Sequence, residues 1–325
     1  MILQGVIQKK LLWIYNIIKK IFNMRHIKHF LTNAEQPTEF EYDYVSFVDE
    51  NENSYVRENE HDYSKDYFTV VALTDGSFVF NANEELDEGK SNAVSYSIND
   101  GEWQEPTTNL NLNVNANDSI RLKGQMQTDY TDNVSVVKQL GIGKFIGGTV
   151  LFEINGNIMS LFLEDDFNNS EKLIPILNGS MYTYFEVFKD SNLVSAEHLI
   201  LPSKTCFCMY MAMFQDAKLL KKAPQLPAST LDDMCYLSMF NGCTSLERTP
   251  ILHADKLESM CYVDMFKNCT NLKHITMLAT KGVTSGLSGW VKNVYPNGVF
   301  VKSKNATWEI QGENGVPINW IVQKK

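Results

Sequence analysis

The sequence predicts a β-rich α/β multidomain chain. An N-terminal amphipathic helix precedes a small β-sandwich and a C-terminal repeat solenoid closed by a terminal cap. Three observations predict it. Basic and apolar residues share helical spacing near the start, short period-two strands with turn dipeptides fill the middle, and Phe214, Phe240 and Phe266 mark a unit that recurs every 26 residues. The expected boundaries are 1–31 for the basic helix, 32–63 for an acidic connector, 64–148 for the sandwich, 149–282 for the repeats and 283–325 for the cap.

Bulk properties narrow the function classes. A length of 325 residues suits two or three domains, and 44% hydrophobic against 21% charged residues excludes global disorder. A net charge of −10 disfavours nucleic acid as a partner, because phosphate contacts need clustered Lys and Arg. Six Cys are too sparse for a disulfide scaffold.

The charge is segregated. Lys9, Lys10, Lys19, Lys20, Arg25 and Lys28 meet no acid before residue 31, whereas the stretch Glu35–Asp66 is strongly acidic. Within the basic segment Ile7, Leu11, Ile14, Ile18, Ile21 and Phe22 form an apolar stripe opposite Lys9, Asn16, Lys19 and Lys20. A secretory signal needs a longer apolar run than Leu11–Tyr15 and a small-residue cleavage site. No stretch approaches the roughly 20 apolar residues of a membrane span. The stripe therefore predicts an anchor, either on a membrane surface or on a partner protein, unless Met24 is the true start. Residues 32–63 read as an extended connector, with Tyr42, Tyr44, Ser46 and Val48 alternating.

The middle third alternates. Phe68, Val70 and Ala72 precede Asp75-Gly76, then Phe78 and Phe80. Val94, Tyr96 and Ile98 precede Asn99-Asp100-Gly101 and Trp103. Dipeptides such as Asp-Gly between alternating runs signal hairpins. Leu110, Leu112 and Val114 alternate with Asn109, Asn111, Asn113 and Asn115, so one strand has an asparagine face. Asn117-Asp118 then turns the chain into Ile120 and Leu122.

The C-terminal half repeats. Tyr184, Tyr210, Tyr236 and Tyr262 are in register, as are Phe214, Phe240 and Phe266, and Leu220, Leu246 and Leu272. Ser191, Ala217, Cys243 and Cys269 hold one small-residue position. A period of about 20–29 residues with recurrent Leu predicts leucine-rich repeats, each with a short helical stretch carrying Tyr and Met-Phe, a bend and a strand.

The segments Cys235–Leu246 and Cys261–Leu272 resemble the BspA-type leucine-rich repeats of gut anaerobes and their phages. Gly156–Leu161 looks like the lead-in to such arrays. Trp290-Val291, Gly298–Lys302 and Gly315–Trp320 look like their closing cap. The resemblance covers about residues 65–325. It implies surface display and binding rather than a reaction. Lacking the leader of secreted members, the chain resembles a phage structural protein more than a bacterial cell-surface adhesin. The implied location is the virion, with the bacterial surface as the alternative. The implied partners are other virion proteins at the N-terminal helix, a bacterial surface protein or glycan at the repeats, and further copies of the chain in a homo-oligomer.

Few residues suggest chemistry. Cys206-x-Cys208 lacks zinc or redox spacing, and the ladder cysteines read as buried small residues. His26, His29, His61, His198, His253 and His274 form no metal-binding pair. Glu164-Asp165-Asp166 lacks calcium-loop spacing and reads as a solvated turn. Gly141-x-Gly143 and Gly147-Gly148 lack a nucleotide-binding context, and no Gly-x-Ser-x-Gly occurs. The expected function is non-enzymatic, with no cofactor, no metal and no catalytic residue. A carbohydrate-active enzyme on the same scaffold is the less favoured reading.

Overall fold

A computed structural model describes residues 61–82, 92–126, 142–145, 148–168 and 183–325. From residue 62 onward the chain forms one compact unit. Its first sheet has six strands in the order β4-β3-β6-β1-β8-β9: Gln104–Thr107, Val94–Ile98, Ser119–Gly124, Phe68–Ala72, Phe152–Asn157 and Leu193–Ile200. All neighbours are antiparallel except β8 and β9. A second sheet of three strands runs β5-β2-β7: Asn109–Val114, Gly76–Ala82 and Gly143–Phe145.

Strand alternation builds the core between these sheets. Phe68, Val70, Ile120, Leu122, Phe152 and Ile154 are buried from the first sheet, and Phe78, Phe80, Leu110 and Phe145 from the second. Phe78 meets Phe152 edge-on at 5.7 Å between ring centroids, and Phe68 lies 5.4 Å from Phe145. The turn dipeptides do two different jobs. Asn99 (φ 50°) and Asp100 (φ 59°) close a tight hairpin between β3 and β4, with Gly101 N–H donating to the Ile98 carbonyl at 2.9 Å. Asp75-Gly76 makes no hairpin, because β1 and β2 belong to different sheets. Its turn is instead fastened to the β5–β6 connection, where the Ala116 N–H donates to Asp75 at 2.8 Å.

Beyond β8 and the short helix α1 (Ser160–Leu163), the chain stacks in rungs. Tyr184, Tyr210 and Tyr236 stack with centroids 5.3 and 5.2 Å apart, and Tyr262 follows at 6.0 Å. Phe188, Phe214, Phe240 and Phe266 form a second column at 5.4, 5.4 and 5.6 Å. Phe188 also stacks on Phe145 at 5.4 Å, so the column continues the core of the two sheets. At the far end Trp290 takes over, 6.5 Å from Tyr262 and 6.1 Å from Phe266. A parallel four-stranded sheet closes the chain: β10 (Arg248–Leu252), β11 (His274–Met277), β12 (Val299–Lys302) and β13 (Ile321–Lys324). Pro250 is tolerated because β10 is an edge strand, with its register broken between Arg248 and Ile251.

The fold class expected from the sequence is corrected here. The described residues are strands and turns, and their α-helices are only α1 and α2 (Val283–Gly286), four residues each. They do not form an α/β solenoid of helix-and-strand repeats. The proposed N-terminal amphipathic helix, with Ile7, Leu11, Ile14, Ile18, Ile21 and Phe22, lies outside the described residues.

The physical reason is visible in the backbone bonding. The Tyr–Met–Phe stretch of each rung spends alternate N–H groups on its neighbour. Tyr210, Ala212 and Phe214 donate to the carbonyls of Cys235, Leu237 and Met239 at 2.8, 2.9 and 2.9 Å, whereas Met211, Met213 and Gln215 donate three residues back within their own rung. An α-helix would keep all of these bonds inside one segment. Every fourth residue also takes a left-handed conformation, as at Met234, Ser238 and Gly242 and again at Met260, Asp264 and Asn268, which no α-helix permits.

All six cysteines are free and buried. Cys243 and Cys269 donate their thiols to the carbonyls of Phe214 and Phe240, both at 3.0 Å. Burial pushes the Cys206 and Cys261 thiols up to about 11 and about 12, and raises those of Cys235, Cys243 and Cys269 as well. Because the thiolate is the nucleophile, native protein at neutral pH should resist alkylation. Mass spectrometry should find six modified cysteines only after denaturation. Reductant should leave the melting temperature unchanged.

Candidate functional site

The repeat positions point inward. Tyr210, Phe214, Leu220, Tyr236, Phe240, Cys243, Leu246, Tyr262, Phe266, Cys269 and Leu272 are all buried and together line the core. They position the rungs and offer no side chain to a ligand. A contact surface has to come from residues that face outward.

The outward face of the six-stranded sheet supplies one. Strand pairing places Ser97, Arg121, Thr69, Asn155 and His198 in one row across β3, β6, β1, β8 and β9. The row follows from alternation: the inward partners of these strands are the buried Phe68, Val70, Ile120, Leu122 and Ile154, so the residues between them lie on the opposite side of the sheet, where Ser97 and Thr69 are themselves buried and Arg121, Asn155 and His198 are half-buried.

Trp103 covers one end of this row. It follows the Asn99-Asp100 hairpin turn and folds over β6, with Lys123 Nζ 4.6 Å and Arg121 Cζ 5.5 Å from its ring centroid. Both cations are held in place. Arg121 pairs with Asp100 at 2.9 Å and donates to Ser97 Oγ at 3.0 Å. Lys123 donates to both carboxylate oxygens of Asp165, at 2.9 and 3.2 Å. Tyr67 packs edge-on against Trp103 at 5.0 Å, rests on the buried Phe167 at 5.2 Å, and donates its hydroxyl to Asp165 at 2.6 Å. At the other end of the row Tyr63 stacks on His198, with centroids 4.5 Å apart and planes 14° from parallel.

Asp165 is the hub. The Tyr67 hydroxyl, and then the Lys123 ammonium, hold its carboxyl below the usual carboxylate range. Desolvation and the same bond push the Tyr67 phenol up to about 12. The sign follows from linkage. A carboxyl with a depressed native pKa contributes stability above its unfolded value, and that contribution is lost as the pH falls through the native value. Asp165→Asn should therefore lower stability at neutral pH, and the difference from the unaltered protein should close in acid, as the pH falls below the ordinary carboxylate range. Urea titrations at several pH values check this.

Other expected features resolve differently. Glu164-Asp165-Asp166 forms a 3-10 turn tied back to distant parts of the chain, Asp165 receiving Tyr67 and Lys123 and Glu164 receiving Gln125 at 2.9 Å. Among the described residues no three His, Cys, Asp or Glu side chains converge on a metal position. The asparagine face of β5 is solvated: Asn109, Asn111 and Asn113 are exposed and point away from the sandwich core. No described helix is long and apolar enough to cross a membrane. Compared with known proteins, the chain matches no family model, no curated protein and no solved structure.

Local sequence does not mark the sheet face: Trp103 stands simply after a turn, and Arg121 and Lys123 alternate with the apolar Ile120 and Leu122 of one strand. Two cations at i and i+2 on one strand, with a tryptophan just past a hairpin turn, is the local signal that was available.

Proposed function

We propose that the chain is a non-enzymatic structural and adhesive protein displayed on a phage particle. It touches the bacterial surface through the folded unit that begins at residue 62, and residues 1–31 attach it to other virion proteins. The particle setting rests on the resemblance of the repeats to BspA-type arrays. The contact half rests on one observation: Trp103, Tyr67, Arg121 and Lys123 are gathered on an outward sheet face and fixed there by Asp100 and Asp165. Aromatic and Arg side chains held rigidly at a surface are typical contact residues. The ladder acts as the rigid support for that face.

Two measurements test the proposal together. Antibody labelling in electron micrographs should place the protein on purified particles, and fluorescently labelled full chain should bind host cells saturably. Labelling of the bacterial envelope in uninfected cells would favour a cell-surface adhesin. Absence from particles combined with no cell binding would overturn the proposal.

A further inference from the structure

We infer that β13 of one chain pairs antiparallel with β13 of a second copy, joining two four-stranded sheets into one of eight strands about a two-fold axis at Val322. Such pairing is independent of the host contact proposed above.

The edge is open. β13 has β12 on one side and no strand on the other. Ile321 N–H donates to the Gly298 carbonyl at 2.9 Å and Lys325 N–H to the Lys302 carbonyl at 3.0 Å, so alternate backbone groups are spent on β12. Those of Val322 and Lys324 face the other way, along the free edge. All four residues of β13 are exposed.

The edge is also apolar. The two most exposed large apolar side chains among the described residues are Ile318 and Ile321, each 65% exposed. Val322 continues the row of Ile275 and Phe300 across the sheet. Those two are fully buried, whereas Val322 is 43% exposed. The core layer thus runs on into the edge strand and is left uncovered there. Stacked-repeat proteins stay apart when their outermost unit has a polar outer face. Here isoleucine and valine stand beside Gln323 and two lysines.

Charge sets the orientation of a second copy on this edge. Lysines on an edge strand guard it against pairing, but Lys324 and Lys325 stand at one end only. A second β13 added in parallel and in register would set Lys324 about 4.8 Å from its counterpart. Antiparallel pairing about Val322 sets Lys324 opposite Trp320 and Ile321 opposite Gln323. The two Lys324 residues are then four residue steps, or about 14 Å, apart, beyond the screening length of about 8–10 Å. The same register sets the outward N–H and C=O of Val322 against those of its counterpart. The joined strip is only about 20 Å long, at the low end of specific interfaces, which points to a dissociation constant of about micromolar order.

Sedimentation velocity of the full chain tests this from about 1 to about 100 μM, the range over which a micromolar complex forms. A concentration-dependent shift from monomer to dimer is expected. Val322→Pro removes an outward N–H that makes no bond within the sheet, at an edge position that tolerates proline, and should weaken the dimer at least about tenfold. Melting temperatures serve as controls. Two cysteine variants read the register. Because the six native cysteines are buried, an added one is the reactive thiol. Under mild oxidation Val322→Cys should give a covalent dimer on a non-reducing gel. Lys324→Cys should not, since residues about 14 Å apart lie beyond disulfide reach. Should Val322→Pro fold poorly, the two cysteine variants carry the test. A chain that stays monomeric throughout, a dimer that a folded Val322→Pro leaves intact, or cross-linking through Lys324→Cys in place of Val322→Cys overturns the inference.

Discussion

Phe240→Ala should destabilise the protein by about 3–5 kcal/mol, the range for a fully buried phenylalanine. Phe240 lies in the middle of the second column, 5.4 Å from Phe214 and 5.6 Å from Phe266, with planes within 4° of parallel. Its removal leaves two rings facing a void that neither can fill, because each rung is held to its neighbours by backbone hydrogen bonds. Phe240 N–H donates to Met265 at 3.0 Å and Phe214 N–H to Met239 at 2.9 Å. The rungs cannot close the gap without breaking these bonds, so the cost should fall in the upper part of the range. Leu219→Ala, at a side chain 41% exposed, should shift stability by no more than about 0.5 kcal/mol. Chemical denaturation measures both. A loss below about 1 kcal/mol at Phe240 would show that the 26-residue register is wrong.

Trp290→Ala should cost at least as much. Trp290 is fully buried at the junction of three packing units. It meets Tyr262 and Phe266 of the last regular rung and, edge-on at 6.1 Å, Phe300 of β12. Its indole N–H donates to the Gly315 carbonyl at 2.9 Å, within the closing segment. Truncation removes about 3–5 kcal/mol of packing and strands a buried carbonyl, worth about 1 kcal/mol more. Trp290→Phe keeps a ring and should lose less. The damage should be concentrated at the C-terminal end, so limited proteolysis of Trp290→Ala should first release fragments beyond residue 291. Even cleavage along the whole repeat region would show that Trp290 does not hold the closing segment.

The register of the repeats was legible because stacking forces it. When rungs lie one above another, the residue at each core position must recur, and Tyr210, Tyr236 and Tyr262 do. The secondary structure of the rung was not legible. Tyr236, Met239, Phe240 and Cys243 recur every three to four residues, a spacing that fits an α-helix and equally a run of tight turns. What separates the two is the partner of every second N–H, about 25 residues away in the next rung, as for Tyr210 and Cys235. The left-handed positions gave a partial warning: Glu186, Ala212, Ser238 and Asp264 share no residue type, but the register Asp190, Asp216, Gly242 and Asn268 is filled entirely by Gly, Asn and Asp, which favour that conformation.

Strands were easier than their partners. Phe68, Val70 and Ala72 alternate whichever strand lies beside them, so the pattern located β1 without revealing that β6 and β8 flank it. The candidate face suffered most from this. Its row gathers Thr69, Ser97, Arg121, Asn155 and His198 from five strands, and no local window of sequence contains more than one of them. Only pairing across the sheet brings them together.

The central claim is that contact is made by the sheet face while the ladder supports it. Hydrogen exchange of the full chain, free and bound to polysaccharide extracted from the host surface, addresses it most directly. The expected result is slowed exchange around residues 63–69, 97–104, 121–123 and 153–157 and at His198, with the exposed turns near Leu219 and Thr270 unchanged. Slowed exchange at those rung turns, with the Trp103 face unaffected, would contradict the account.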